Sequence, residues 1–123
     1  MMKIKQIGMG EFGVIYEGVE GKEAVDFLLL IREGEVRNAF TRSDIGSIDL
    51  VWGKEGDNGY GLAHFQNRKG ALKNLRDVVE KGTLQSTNDN SVILIKRVVG
   101  SGGTAIVQLD WKGEPKRWII TSY

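Results

Sequence analysis

The chain has 123 residues, of which 41% are hydrophobic and 27% charged, a composition that suits one globular domain with a single core. It contains no cysteine and one histidine, so disulfide bonds and thiolate metal sites are excluded and a zinc site is not expected. Residues 1–60 carry 7 Lys and Arg against 11 Asp and Glu, whereas residues 61–123 carry 10 against 5. This asymmetry indicates either a basic working face in the second half or scatter in a short chain.

The sequence predicts no membrane association. Its longest apolar run, FLLLI at 27–31, is too short to cross a bilayer. The first residues, MMKIKQIGMGEF, lack the apolar core of a secretory signal peptide. We therefore expect a cytoplasmic protein.

The first half of the chain predicts a strand, a helix and a second strand. EFGVIYEGV at 11–19 alternates in the manner of a short strand. The segment 21–36 has apolar residues at helical spacing, with Gly34 as its stop signal. IGSIDLVWG at 45–53 is rich in β-forming residues and bounded by glycines, which predicts a strand.

A glycine-rich loop and a long helix are predicted next. The loop KEGDNGYG covers 54–61, and Asp57 or Asn58 is a candidate cap for the helix that follows. That helix is predicted over about 60–81, with a kink or break at Gly70. The loop lacks the closing Gly-Lys-Ser/Thr of a P-loop, so it is either an anion site at a helix start or a plain surface loop.

Three strand signals end the chain, at 91–99, 103–111 and 116–123. GSGG at 100–103 predicts the first hairpin turn, and KGEP at 112–115 predicts the second.

The elements together predict an α+β fold and a single domain over residues 1–123. In this fold an N-terminal strand and helices pack on a C-terminal antiparallel meander sheet of about four strands.

His64 stands in GLAHFQNRKG with Arg68 and Lys69 close behind it. Histidine is the side chain whose ordinary pKa lies nearest neutrality, so it suits acid/base chemistry. On a continuous helix, His64 and Arg68 would share one face because they are four residues apart. The alternative is a structural histidine with two solvated cations beside it.

Other candidates lie in the predicted sheet. Trp111 is either a packed aromatic residue or a base-stacking platform. The two-residue period of a strand places Thr121 and Tyr123 on one face. A carboxylate pair for hydrolysis is conceivable with Asp49, Asp57 or Asp110, but nothing in the sequence selects two of them.

Several motifs, in order and over nearly the whole chain, resemble one family. These are GEFGVIY, GKEAVDFLL, DIGSIDLVWGKEG, GYGLAH and VQLDWKGEPKRWIITSY, with IDLVWG followed by GYGLAH the most specific part. They resemble the phage-associated barnase/EndoU/colicin/RelE-type (BECR fold) nuclease domains. The resemblance implies a bacterial or phage-encoded, toxin-type endoribonuclease that needs no metal or other cofactor, on helices packed against a four-stranded antiparallel sheet.

The resemblance also implies site residues and partners. His64 matches the first motif histidine of the family, whereas a second family histidine falls on Lys69 and the proline after it falls on Gly70. RNA, such as tRNA or mRNA, is the implied substrate, and an antidote or immunity protein is an implied partner. Cleavage by the substrate's own 2′-hydroxyl would leave a 2′,3′-cyclic phosphate.

We assign roles on this basis. Candidate catalytic residues are His64, Lys69, Thr121 and Tyr123; candidate substrate-binding residues are Lys54, Arg68, Lys73, Trp111 and Ser122. The predicted basic face consists of Arg68, Lys69, Lys73, Arg76, Lys96 and Arg97. The alternative function is a non-catalytic module that binds nucleic acid or protein in a phage particle or a toxin–antidote system.

Overall fold

A computed structural model describes residues 4–86, 92–97 and 103–123. These residues form eight strands and three helices. In chain order the elements are β1 (Lys5–Gly10), β2 (Gly13–Glu17), α1 (Gly21–Ile31), β3 (Glu35–Arg42), β4 (Gly46–Val51), α2 (Leu62–Phe65), α3 (Lys69–Lys81), β5 (Thr83–Ser86), β6 (Val92–Arg97), β7 (Gly103–Trp111) and β8 (Glu114–Ser122). The predicted turn at 100–103 lies largely outside the described residues.

All eight strands belong to one sheet, in the order β1-β2-β3-β4-β8-β7-β6-β5. The predicted α+β class and the antiparallel run β6–β7–β8 are confirmed. The predicted sheet of about four strands is wrong in size, and the sheet is mixed because β2 pairs with β3 and β4 with β8 in parallel. The N-terminal strands extend this sheet instead of packing on it.

The predicted helix over 21–36 is too long, because α1 ends at Ile31 and the next residues begin β3. Arg32 adopts the left-handed conformation, with φ 56°, and its N–H donates to the Leu28 carbonyl. This arrangement caps the helix before Gly34 is reached. Asn38, also left-handed at φ 58°, interrupts the alternation of β3, so the sequence gives no clear strand signal there.

The helices cover one face of the sheet and form the core with it. Leu28 of α1 and Leu75 of α3 are buried against sheet residues such as Phe40, Ile48 and Ile119. The opposite side, called the outer face below, carries the residues that alternate with this core set. They include Asp49 of β4, Gln108 of β7 and Trp118 of β8, which lie side by side in the register.

The predicted helix over 60–81 is two helices, and the break at 66–68 precedes Gly70. Neither Asp57 nor Asn58 caps α2, because its N-cap position is Gly61 at φ 74°. A Cβ there would lie 2.7 Å from the Val51 carbonyl oxygen, so only glycine fits without strain. Within the described residues, neither α1 nor α3 combines the length and apolar character that a bilayer crossing requires.

Candidate functional site

Residues 61–68, called the histidine segment below, carry His64. This segment is attached to the carboxyl end of β8 at both of its ends. The N–H of Gly61 donates to the Ile120 carbonyl at 2.8 Å. At the other end, Nη1 of Arg68 donates to Thr121 Oγ1 at 3.1 Å and to the Ser122 carbonyl at 2.9 Å. Helix α2, between these anchors, packs on β8. The loop and the strand end therefore form one local unit.

Arg68 presents a partly exposed cation at this unit. Its guanidinium carbon lies 4.7 Å from the ring centroid of Tyr123, which is 59% exposed. In the described part of the chain, its hydrogen bonds use Nη1, which leaves the N–H groups of Nε and Nη2 to a ligand. A guanidinium fork held in this way suits the oxygens of a phosphate group.

A one-residue bulge in β8 sets which side chains join Arg68. Thr121, instead of Ile120, pairs with Ile106 on β7, so Ile120 is the extra residue. Tyr123 exchanges two backbone hydrogen bonds with Thr104, two residues from Ile106. Thr121 and Tyr123 therefore lie on one face, as the two-residue period predicts, and the register places them on the outer face.

His64 is partly buried and lies on α2. Its Nδ1 is 3.0 Å from the Gly56 carbonyl oxygen, which can only accept a hydrogen bond. Nδ1 must therefore carry the proton, and in the neutral ring Nε2 keeps its lone pair. The predicted helix face shared by His64 and Arg68 is wrong, because Arg68 lies between the two helices at φ −90°, ψ 85°. It is β8 that anchors the segment carrying both residues.

The other predicted site residues divide into near and far groups. Lys69 and Lys73 are exposed on the first turns of α3, directly after Arg68. Lys54 is exposed in the loop, where its backbone pairs with Tyr60. Ser122 is buried, and its hydroxyl donates to the Thr104 carbonyl at 3.2 Å. The contact of Ser122 with Arg68 is therefore made by its backbone carbonyl.

Trp111 lies elsewhere, in a cleft of about 840 Å³ on the outer face. The β1–β2 turn, strands β3 and β4, the end of β7 and the start of β8 line this outer-face cleft. Lys116 is at its base, with Nζ 3.0 Å from Glu35 Oε1 and 2.8 Å from Asp49 Oδ2. Arg37 also contacts Glu35, at 3.1 Å, so the four charges balance.

Sequence reasoning missed most of this ion network. The sequence makes Asp49 a candidate carboxylate, but it places Glu35 in the predicted helix 21–36 and Arg37 in a segment with no strand signal. The parallel pairing of β4 with β8 brings Lys116 to Asp49 from 67 positions away in the chain. Alternation within β4 does mark Asp49 as the polar residue between two core residues.

Within the residues described, no group of three or more His, Asp or Glu side chains is arranged to hold a metal ion. The family of phage-Barnase-EndoU-ColicinE5/D-RelE like nuclease 1 matches residues 39–123. The chain belongs to this family. The match confirms the resemblance seen in the sequence and spans both the His64 segment and β8. No curated protein and no solved structure gives a significant match.

The family description names a phage nuclease of the BECR type. The coarse class that follows for this chain is a nucleic-acid-cleaving protein. The match begins at Ala39, so Glu35 and Arg37 of the outer-face cleft lie outside the matched part.

Proposed function

We propose that this nuclease is a metal-independent endoribonuclease that cleaves RNA at the carboxyl end of β8. The observation that carries the proposal is the position of Arg68, whose guanidinium is held by Thr121, Ser122 and the ring of Tyr123. Two hydroxyl-bearing side chains and a cation with unused donors meet beside the histidine segment. Such a set supplies the groups that RNA transesterification needs without a metal.

The reaction is an internal transfer at phosphorus. The 2′-oxygen of one nucleotide attacks the adjacent phosphorus, and the bond from phosphorus to the 5′-oxygen of the next nucleotide breaks. The 2′-hydroxyl proton passes to a base, and the departing 5′-oxygen takes a proton from a water molecule, while the base returns its proton to the solvent. The products are a 2′,3′-cyclic phosphate and a 5′-hydroxyl end, and no oxidant, reductant or metal takes part.

Each named residue has a role that its contacts support. His64 is the base, because Nε2 keeps its lone pair while Nδ1 is fixed on the loop carbonyl. Arg68 binds the phosphate and stabilises the charge that grows on it. Thr121 and Tyr123 donate hydrogen bonds from the outer face, and Lys69 adds a cation at the start of α3.

The partners follow from this role. Single-stranded RNA, such as a loop of tRNA or a stretch of mRNA, is the substrate, with Lys54 and Lys73 contacting its backbone. An antidote protein that covers the same unit would silence it. The competing function, a module that binds RNA without cleaving it, uses the same cations but needs neither His64 nor a fixed tautomer.

The test is incubation of the purified protein with total RNA in EDTA, followed by analysis of the new ends. We expect cyclic phosphate and 5′-hydroxyl ends, and a loss of cleavage in Arg68→Ala. Lys22→Ala, which removes an exposed cation from α1, is the matched control and should cleave normally. Cleavage that EDTA abolishes and a divalent ion restores would overturn the mechanism, and RNA binding without cleavage would favour the binding module.

A further inference from the structure

We infer that the outer-face cleft is a subsite for a nucleobase of the RNA strand, separate from the groups that act on the phosphate. The inference rests on the proposed function for its substrate class. It assigns a role to a cavity that includes residues outside the matched part of the chain.

Aromatic rings provide the stacking surface of the subsite. Phe12 and Trp111 line the cleft with ring centroids 4.6 Å apart, and Tyr60 and Trp118 pack against both. Phe12, Tyr60 and Trp111 are all partly exposed. Aromatic faces of this kind bind any base through its flat surface, and stacking adds to the affinity of single-strand recognition whatever the sequence.

The charges of the cleft balance, which favours a neutral ligand. Besides the network around Lys116, Lys112 pairs with Glu11 at 3.5 Å, and Arg117 and Glu114 complete the charged part of the lining. A phosphate would gain little from a surface of zero net charge, since carboxylates already pair with Arg37, Lys112 and Lys116. A nucleobase is neutral, flat and edged with both donors and acceptors, so it matches this mixture.

The cleft is also at the right place for one strand to reach both sites. The residues of β8 that line the cleft, Glu114–Arg117, and Thr121, in contact with Arg68, belong to the same strand. Four to seven residues of extended chain separate them, about 13–23 Å or slightly less because of the bulge. A strand of several nucleotides can bridge this distance with one base in the cleft and one phosphate at Arg68.

The test measures binding apart from cleavage, with a fluorescently labelled 2′-O-methyl RNA hexamer whose blocked 2′-oxygen cannot attack. Trp111→Leu should weaken its binding roughly 5- to 150-fold, the value of one stacked base. Trp111→Phe keeps an aromatic face and should lose less. Trp52→Phe is the matched control, because Trp52 contacts Arg32 outside the cleft, and it should bind as the unaltered protein does.

A second probe distinguishes protein contacts with the bases from contacts with the RNA backbone. A hexamer of the same length carrying abasic sites should bind the unaltered protein about as weakly as Trp111→Leu binds the intact hexamer. Labelling the three tryptophans with 5-fluorotryptophan gives a readout on the unaltered protein, in which the resonance that Trp111→Phe lacks is that of Trp111. That resonance should shift when the intact hexamer is added.

The outcomes distinguish the two proposals. Unchanged hexamer affinity in folded Trp111→Leu, or a Trp111 resonance that does not move, overturns the subsite even if RNA is cleaved. Binding that depends on Trp111, in a protein that leaves RNA intact in EDTA, upholds the subsite and overturns the proposed cleavage.

Discussion

His64 is the residue on which the proposed chemistry most depends, and its one described side-chain hydrogen bond, to Gly56, fixes the ring and leaves it partly exposed. His64→Ala should therefore lower the cleavage rate by about 10²–10⁴-fold, the usual loss of an acid/base group. Thermal stability should change little, because a partly exposed side chain with one loop contact contributes few core contacts. Initial rates on RNA and a thermal melt of the same sample check both expectations.

Position 69 tests the departure from the family pattern. Lys69→Ala should reduce cleavage less than His64→Ala if Lys69 only binds phosphate. Lys69→His should retain activity or raise it, since it restores the histidine that the resemblance places there. A His64→Ala variant with full activity, or one that is inactive because it has unfolded, would contradict the assignment of His64 as the base.

Lys116 is the cation of the outer-face cleft whose loss should cost the most stability. It is the described cation that contacts both Glu35 and Asp49, whose side chains are 3% and 14% exposed. Lys116→Met would leave two carboxylates facing each other without it and should lower the free energy of unfolding by about 3–5 kcal/mol. Urea unfolding measures this, with Lys112→Met, 69% exposed at the rim, as the control that should change stability little.

At the level of elements, periodicity predicted the strands that alternate cleanly and missed those that do not. Strands β4, β7 and β8 have core residues at alternate positions and were predicted. Strand β3 was missed because the left-handed Asn38 and a shift in register break its alternation. Short edge strands such as β5 bury too few residues to give a pattern.

The candidate site shows the same limit. Sequence spacing placed His64 beside Arg68 through a helix, but the helix ends at Phe65. Their link is instead made by β8, and the hydrogen bonds of Arg68 span 53 and 54 positions of sequence. No local pattern encodes a contact of that range, whereas the shared face of Thr121 and Tyr123 is local and was predicted.

Alanine substitutions at two glycines test whether the turn at Gly61 positions the histidine segment. Gly61→Ala forces a Cβ to 2.7 Å from Val51 O and 2.8 Å from Trp52 O at φ 74°. It should destabilise the protein by about 1–3 kcal/mol and reduce cleavage, because the same residue anchors the histidine segment to Ile120.

Gly70→Ala is the matched control for this change. Gly70 lies inside α3 with open space around its Cα, so alanine should be neutral or stabilise by up to about 1 kcal/mol. Thermal melts and cleavage rates of both variants are compared. Equal effects of the two substitutions would contradict the role given to the Gly61 turn.

At the scale of the whole molecule, the basic half of the sequence does not fold into one uniform basic face. Lys69 and Lys73 stand next to Arg68, but Arg76 donates to Glu80 at 3.0 Å, and this hydrogen bond raises the pKa of Arg76. Lys96 is exposed on β6, two strands away from β8. The side chain of Arg97 lies outside the described residues. With Lys54 of the loop, the cations assigned to the RNA strand are therefore four: Lys54, Arg68, Lys69 and Lys73.

This count predicts the salt dependence of RNA binding. Four phosphate contacts to a single strand give a slope of about −3 for log K against log salt concentration. The double variant Lys69→Ala, Lys73→Ala should reduce the slope to about −1.4, because two contacts remain. Lys22→Ala, a surface cation on α1, should leave it unchanged. Binding of the uncleavable 2′-O-methyl hexamer between low and moderate salt measures the slopes, and a slope near zero in the unaltered protein would rule out phosphate contacts by these cations.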